Sequence, residues 1–295
     1  MEKRSGNAVT IGNFDGFHLG HQSIISNTLR IAAEKSIGSV LLTFHPNPRL
    51  FFNAEDKLIY SDQRKKKVLE STGINKIEYI KFPEVFSLNG QDFIDKYLLD
   101  IYSMKYLVVG DNFRLGKGRE WDIERISEYG TIKGFEVKIV APEDYHGTKI
   151  SSSIIRDLLR KGEISTANIM LGVEYVSEGF VLKGNRIGTR LGFPTINIVD
   201  NNCLLPNGVY KSKVFSDGNV YKSATYIGDN PTISKTERKI ETHLINFDKE
   251  IYDKYVEIHF LKFIRGERKF SSEKELIFQI RDDVNTIKFD FETEV

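Results

Sequence analysis

Two histidines three residues apart, His18 and His21, stand at the end of the loop Gly12-Asn13-Phe14-Asp15-Gly16-Phe17-His18-Leu19-Gly20-His21, which follows a β-branched run and opens a segment of helical period. That spacing puts both imidazoles on one helical face beside the positive end of the helix dipole, where ring and backbone N–H groups can donate to a phosphate. Taken alone, His-x-x-His also fits a solvated first turn or a metal pair. Zinc would need a third ligand, and the sequence offers neither a cysteine cluster nor a His-Glu-x-x-His spacing. A second candidate is Lys149-Ile150-Ser151-Ser152-Ser153-Ile154-Ile155-Arg156, where a loop gives way to another helix. The hydroxyls of Ser151 and Ser152 and the open amides of a helix start suit β- and γ-phosphates, and Arg156 adds a delocalised charge one turn in. Serine is also an ordinary N-cap. The two stretches together are more specific than either.

A third candidate runs from Gly184 to Asn197. Gly184 and Gly188 allow backbone to approach a phosphate, Arg186 and Arg190 bring charge, and Thr195 and Asn197 end the stretch with neutral oxygens suited to Mg²⁺ or phosphate. The bland reading is a loop whose Pro and Gly merely shape turns. Glu241, in an alternating stretch further on, reads on its own as a solvated strand residue.

These residues need elements to hold them. From Ala8 to about Lys161, short β-branched runs (Ala8–Ile11, Ser39–Phe44, Lys76–Phe82, Tyr106–Gly110, Glu136–Val140) alternate with helical segments (His18–Lys35, Asp62–Ser71, Gln91–Ile101, Ile123–Tyr129). Such alternation predicts an α/β domain, a Rossmann-like parallel sheet with helices on both faces. Ligands bind such sheets at the C-terminal strand ends, where the loops Gly12–Gly16, His45–Pro48 and Gly110–Gly116 would converge. After about Gly172 the rhythm becomes strand, turn, strand, and Asp217-Gly218 marks a hairpin because both central residues of a type I′ turn need positive φ. A small antiparallel barrel is predicted, followed by one helix opened by Ser271-Ser272 with Glu275 as capping-box partner. The junction lies between Leu158 and Tyr175, giving domains of about residues 1–165 and 170–295.

Composition excludes several classes. Forty-two Lys and Arg against 41 Asp and Glu give a net charge of +1, which leaves no excess for sequence-independent nucleic-acid or membrane binding. With Cys203 as the only cysteine, no intramolecular disulfide forms and a reducing, cytoplasmic setting fits. No apolar run approaches the roughly 20 residues that span a bilayer, and no signal pattern follows the charged N-terminus.

The His18/His21 loop, the segment Gly110-Asp111-Asn112-Phe113-Arg114-Leu115-Gly116 and the Ser151–Arg156 stretch resemble the FMN adenylyltransferase module of bacterial FAD synthetases, in the nucleotidyltransferase superfamily. The resemblance implies ATP and FMN as substrates, attack on the α-phosphorus and release of pyrophosphate. It gives His18 and His21 the α-phosphoryl charge, Ser151, Ser152 and Arg156 the leaving pyrophosphate, the loop Gly12 to Gly16 a nucleotide-binding part, and Asn112 a share in holding substrates. FMN's phosphate is already anionic, so electrostatic stabilisation suffices without a general base. Class I aminoacyl-tRNA synthetases share the His-x-Gly-His idea, but this chain has no room for an anticodon-binding module. One departure concerns the flavin side: where the family usually carries Pro-His-Pro the chain reads His45-Pro46-Asn47-Pro48, so an amide, Asn47, replaces an imidazole. Ser153 stands where Thr is common.

From Gly179 to Asp283 the ordered set Gly184–Asn197, Leu205–Tyr210, Ile227–Thr232, Glu241–Phe247 and Ile264–Phe270 resembles riboflavin kinase. That likeness implies a six-stranded barrel binding riboflavin and MgATP, with Thr195 and Asn197 on Mg²⁺ and phosphates. Glu241 would be the base that a hydroxyl nucleophile needs, and the segment around Arg265 would close over substrate. Asn246 replaces a frequent Asp, and because the chain stops soon after Asp283 a short final helix is expected. Both modules in this order imply a bifunctional enzyme of flavin-cofactor biosynthesis. The alternatives are a kinase whose adenylyltransferase activity is weak or lost, and a flavin-binding regulator. The oligomeric state stays open, a monomer included.

Overall fold

The computed structural model describes residues 6–183, 187–229, 238–247, 251 and 253–293. The chain divides into two compact units, Met1–Ser152 and Ser153–Val295.

The first unit runs β1 (Asn7–Ile11), α1 (Leu19–Glu34), β2 (Gly38–His45), α2 (Pro48–Phe52), α3 (Asp62–Glu70), β3 (Lys76–Lys81), α4 (Phe82–Val85), α5 (Gly90–Phe93), β4 (Met104–Gly110), α6 (Ile123–Lys133), β5 (Glu136–Val140) and a small hairpin of β6 (Asp144–Tyr145) and β7 (Thr148–Lys149). Its five long strands form one parallel sheet in the order β3-β2-β1-β4-β5, as the alternation predicted. One face packs Val9, Ile11, Leu42 and Val109 against Phe93, Ile94, Leu98 and Ile126. The other presents Ala8, Val108 and Leu41 to Ile25, Ile31 and Leu69 of α1 and α3. Both faces being covered explains why β2 reads as a nearly unbroken apolar run. The chain reverses direction across the sheet between β1 and β4, and a crevice opens there at the strands' C-terminal ends. One helical expectation changes in kind: after α5 the coil widens into a π-helix over Ile94–Ile101.

In the second unit α7 (Ser152–Arg160) and α8 (Ile164–Leu171) precede β8 (Tyr175–Phe180), α9 (Ile187–Arg190), β9 (Thr195–Val199), β10 (Gly208–Ser216), β11 (Asn219–Asp229), β12 (Arg238–Leu244), β13 (Tyr255–Gly266) and α10 (Glu273–Thr293). The six strands make one antiparallel sheet ordered β8-β13-β10-β11-β12-β9, and a bridge between Leu182 and Asn197 draws its two edges together. This is the curled six-stranded architecture expected. Asp217 and Gly218 both take positive φ, 49° and 76°, in the β10–β11 turn. Inside the curl, Ser212, Ser223, Thr225 and Thr242 satisfy one another's hydroxyls at 2.7–2.9 Å.

The final helix is not short. α10 runs 21 residues, because Val284, Ile287 and Phe291 extend its apolar stripe beyond Asp283 onto the sheet. Glu275 caps it, accepting from Ser271 N at 2.9 Å while Ser272 Oγ accepts from Glu275 N. Fully buried Lys211 anchors the far end, 3.0 Å from Asp290 Oδ2 and 4.1 Å from the Phe291 ring centre. Among the described residues no helix is long and apolar enough to cross a membrane.

Candidate active sites

In the first unit the loop after β1 is held in a conformation that side chains resist: Phe14, Gly16 and Phe17 all have positive φ. Gly16 is required, since a Cβ there would meet Ile59 Cδ1 at 2.7 Å. Phe14 is buried in the core with Ile25, Leu41 and Leu69. Asp15 is buried too, accepting from Ile59 N at 2.8 Å and lending its carbonyl to Ser152 Oγ at 2.8 Å. These two residues shape the loop, whereas Gly12 and Asn13 line the crevice itself.

His18 caps α1, its Nδ1 accepting from His21 N, and the two rings stack with centres 3.7 Å apart. Burial lowers His18 to a pKa of about 4. His21 is pushed well below the usual histidine range by burial, then by the charges of His18 and Lys65. Both are neutral at pH 7, so each can offer one N–H while accepting at the other nitrogen. His21 Nδ1 is buried with no hydrogen-bond partner among the described residues. His18, His21, Asp111, Asn112, Lys149 and Ser151 surround a cavity of about 180 Å³, with Lys149 Nζ 2.7 Å from Asp111 Oδ1. Arg156 lies one turn along α7, buried and 3.3 Å from Ser153 Oγ.

A larger crevice of about 660 Å³ opens on the other side of Asn112, which lines both. Gly12, Asn13 and the Asn112–Gly116 segment form one wall, and Phe44, Phe52, Phe82 and Phe86 form the other. Arg114 and Arg119 supply positive charge. Asn47 is not part of this lining: it is buried, its Oδ1 caps α2 by accepting from Arg49 N at 3.0 Å, and its amide nitrogen has no partner among the described residues. His45 stands at the surface, 3.4 Å from Asp62. Lys65 was hidden within a charged run, yet it shares the buried face of α3 with Leu69 four residues on. Burial lowers it to a pKa of about 8 against the pull of Asp62 and Asp15.

In the second unit strand register assembles the site. β9 pairs with β12 so that Thr195 faces His243 and Asn197 faces Glu241. Because side chains two apart share a face, these four polar residues form one patch. Thr195, Glu241 and His243 line a cavity of about 350 Å³ whose opposite wall is α10, through Leu276, Ile280, Asp283 and Val284. Lys239 Nζ sits 2.6 Å from Glu241 Oε1. Arg265, expected to close over substrate, lines the cavity while its fork grips Asp283 of α10, Nε to Oδ1 at 2.9 Å and Nη2 to Oδ2 at 2.7 Å. Gly188 is needed here, since a Cβ would lie 2.4 Å from Phe193 O and 3.1 Å from Thr195 Oγ1. Gly184 and Arg186 lie outside the described residues. Asn197 Oδ1 is buried without a hydrogen-bond partner among the described residues. With Thr195 Oγ1 it makes a pair of neutral hard oxygens, the donor type Mg²⁺ takes alongside phosphate oxygens.

The sequence model of the FAD synthetase family matches residues 1–154, and that of the riboflavin kinase family matches residues 171–290. The chain is 38% identical over 292 residues to the bifunctional riboflavin kinase/FMN adenylyltransferase of Buchnera aphidicola subsp. Schizaphis graminum, covering 96% of this chain and 94% of that one. It is 34% identical over 293 residues to the protein of the same name from Bacillus subtilis, covering 96% and 92%. A crystal structure described as a macrolide-efflux protein from Streptococcus pneumoniae superposes with a TM-score of 0.87 at 27% identity over 97% of both chains. Two family matches in series, and relatives aligned across both units, make this chain a member of the bifunctional riboflavin kinase/FMN adenylyltransferase family.

Proposed function

We propose that the chain makes FAD from riboflavin in two ATP-dependent steps, phosphorylation to FMN in about residues 170–295 and adenylylation of FMN in about residues 1–165. The carrying observation is that both families match in series and each matched unit contains a cavity lined by phosphate-binding residue types.

For adenylylation, ATP would occupy the cavity beside His18, His21 and Ser151, and FMN the aromatic crevice, with Asn112 between them. An FMN phosphate oxygen bonds to the α-phosphorus as the α–β bridging bond breaks, and pyrophosphate leaves. Neutral imidazoles donate to the charge developing on the α-phosphoryl oxygens, while Ser151, Ser152 and Arg156 hold the leaving group. Gly12, Asn13 and Gly16 let backbone approach the nucleotide, and Phe14 and Asp15 fix that loop from behind. Asn47 acts on the flavin side by setting the course of the chain into α2.

For phosphorylation, riboflavin's 5′-oxygen bonds to the γ-phosphorus and ADP leaves. Glu241 takes the hydroxyl proton, through the oxygen that Lys239 does not hold or after Lys239 moves away. Thr195 and Asn197 would hold Mg²⁺, which when bound neutralises charge on the phosphate oxygens. Gly184, Arg186 and Gly188 would lie along the phosphates, and Arg265 ties α10 across the flavin end.

Timed incubation with riboflavin and MgATP, with separation of the flavins, tests this. FMN should appear first and FAD follow. FMN without FAD, also when FMN is supplied directly, would leave only the kinase.

A further inference from the structure

We propose that His243 is a positioning residue for phosphoryl transfer, holding the turn that delivers Thr195 to the nucleotide. This deepens the kinase reading and rests on it.

The segment that leads into β9 bends sharply, with Phe193 N donating to Gly188 O at 2.7 Å. What holds its far side is His243, reaching across from β12. Its Nδ1 lies 2.8 Å from Pro194 O. A carbonyl only accepts, so Nδ1 carries the proton and this ring is the Nδ1–H tautomer. The same ring meets Phe193 edge-on, centres 5.6 Å apart at 82°. Cross-strand register then places His243 directly opposite Thr195. One side chain therefore fixes three consecutive residues: Phe193 by ring contact, Pro194 by hydrogen bond and Thr195 by strand pairing.

The turn has little else to set its angle. Proline has no N–H to donate into the sheet, so Pro194 contributes only its carbonyl to backbone pairing, and His243 occupies it. Gly188 packs against Phe193 O and Thr195 Oγ1 with no space for a Cβ, so any swing of Phe193–Thr195 is transmitted to the loop over the cavity. His243 itself lines that cavity with Glu241 and Thr195. Its proton is committed to Pro194 and its effect reaches the phosphates through Thr195, which distinguishes it from Glu241.

The test compares His243→Ala, His243→Asn and His243→Gln in the full chain, measuring kcat and KM for MgATP in FMN formation and, on the same preparations, FAD formation from supplied FMN. Asn can place an amide N–H near the Nδ1 position, and Gln places it further out. His243→Ala should cut kcat/KM for MgATP about 10- to 100-fold, the scale expected when reacting groups are misplaced by an ångström or less. Asn should recover most of that loss, Gln should not, and FAD formation from FMN should be unchanged in all three. If Ala loses both activities, the Asn and Gln pair decides. Wild-type kinetics in every variant would overturn the proposal, as would Asn and Gln failing equally while FAD formation persists. A wild-type chain that makes no FMN would instead remove the kinase reading beneath it.

Discussion

The two sites meet phosphate chemistry with opposite materials. In the first unit the polar centre is a stacked, neutral histidine pair sunk behind a strained loop at a helix start. In the second it is an open patch of strand residues holding a carboxylate already paired with a lysine. The nucleophiles explain the contrast. A phosphate monoester arrives ionised and needs donors aimed at the transition state, whereas a sugar-type hydroxyl must lose a proton as it attacks. A helix N-terminus supplies the first need, and a carboxylate facing hard oxygens across a strand pair supplies the second.

The contrast breaks most visibly at Glu241. Glu241→Gln keeps size and shape but cannot take the proton, so FMN formation should fall about 100- to 10,000-fold. FAD formation from supplied FMN should persist, which controls for folding. FMN production at the wild-type rate would sink Glu241 as base and leave a purely positional mechanism on Thr195 and Asn197.

The converse variant is His21→Ala. Removing one preorganised donor should lower FAD formation about 100-fold, with FMN formation untouched. Equal loss of both products would make His21 a residue of the fold, and no loss would take it out of the site.

Much of this frame was legible. Alternating runs gave the parallel sheet, Asp217-Gly218 gave its turn, and Ser272 with Glu275 gave the start of α10, because each signal is local and tied to backbone geometry. What escaped was non-local or masked. Thr195–Val199 alternates like a strand, but its glycine-rich approach reads as a loop, so the pairing that sets Thr195 against His243 was invisible without β12. Lys65 sat in a basic run that suggests solvent, although its spacing from Leu69 was a usable sign. The length of α10 was misjudged where the motifs ended, while the apolar spacing of Val284, Ile287 and Phe291 carried the answer. Phe14 and Asp15 looked like ligand contacts because loop composition does not tell which side faces the core.

Histidine burial also makes the first unit's stability pH-dependent. His18 has a folded pKa of about 4 against 6.5 when exposed, so the unfolded chain takes up its proton first. Stability from this group is complete above about pH 6.5 and lost as pH falls toward 4, amounting to about 2 kcal/mol at pH 5. Trp121, the only tryptophan, lies in the core of this unit and reports its unfolding by fluorescence. The urea midpoint should drop between pH 7.5 and pH 5 in the wild type, and drop less in His18→Gln. Parallel falls in the two proteins would show that His18 is not the group responsible.

The smallest expected effect separates the ways the two units would hold a flavin. Phe52 is 72% exposed at the rim of the 660 Å³ crevice, supported edge-on by Phe82 at 5.8 Å between ring centres. An apolar ring left in solvent gains by covering a flat aromatic ligand, and such a contact contributes about 0.5–1.5 kcal/mol beyond area burial. The contact is remote from the reacting phosphates, so it should be equally strong in ground and transition states and appear in KM rather than kcat. Phe52→Ala should therefore raise KM for FMN in adenylylation by about 2- to 12-fold, leave kcat near its original value, and leave riboflavin phosphorylation alone. Because the side chain is exposed and its removal opens no core cavity, folding is not at risk. An unchanged KM would move the flavin away from this rim, while a fall in kcat at constant KM would mean that the ring acts on the geometry of attack.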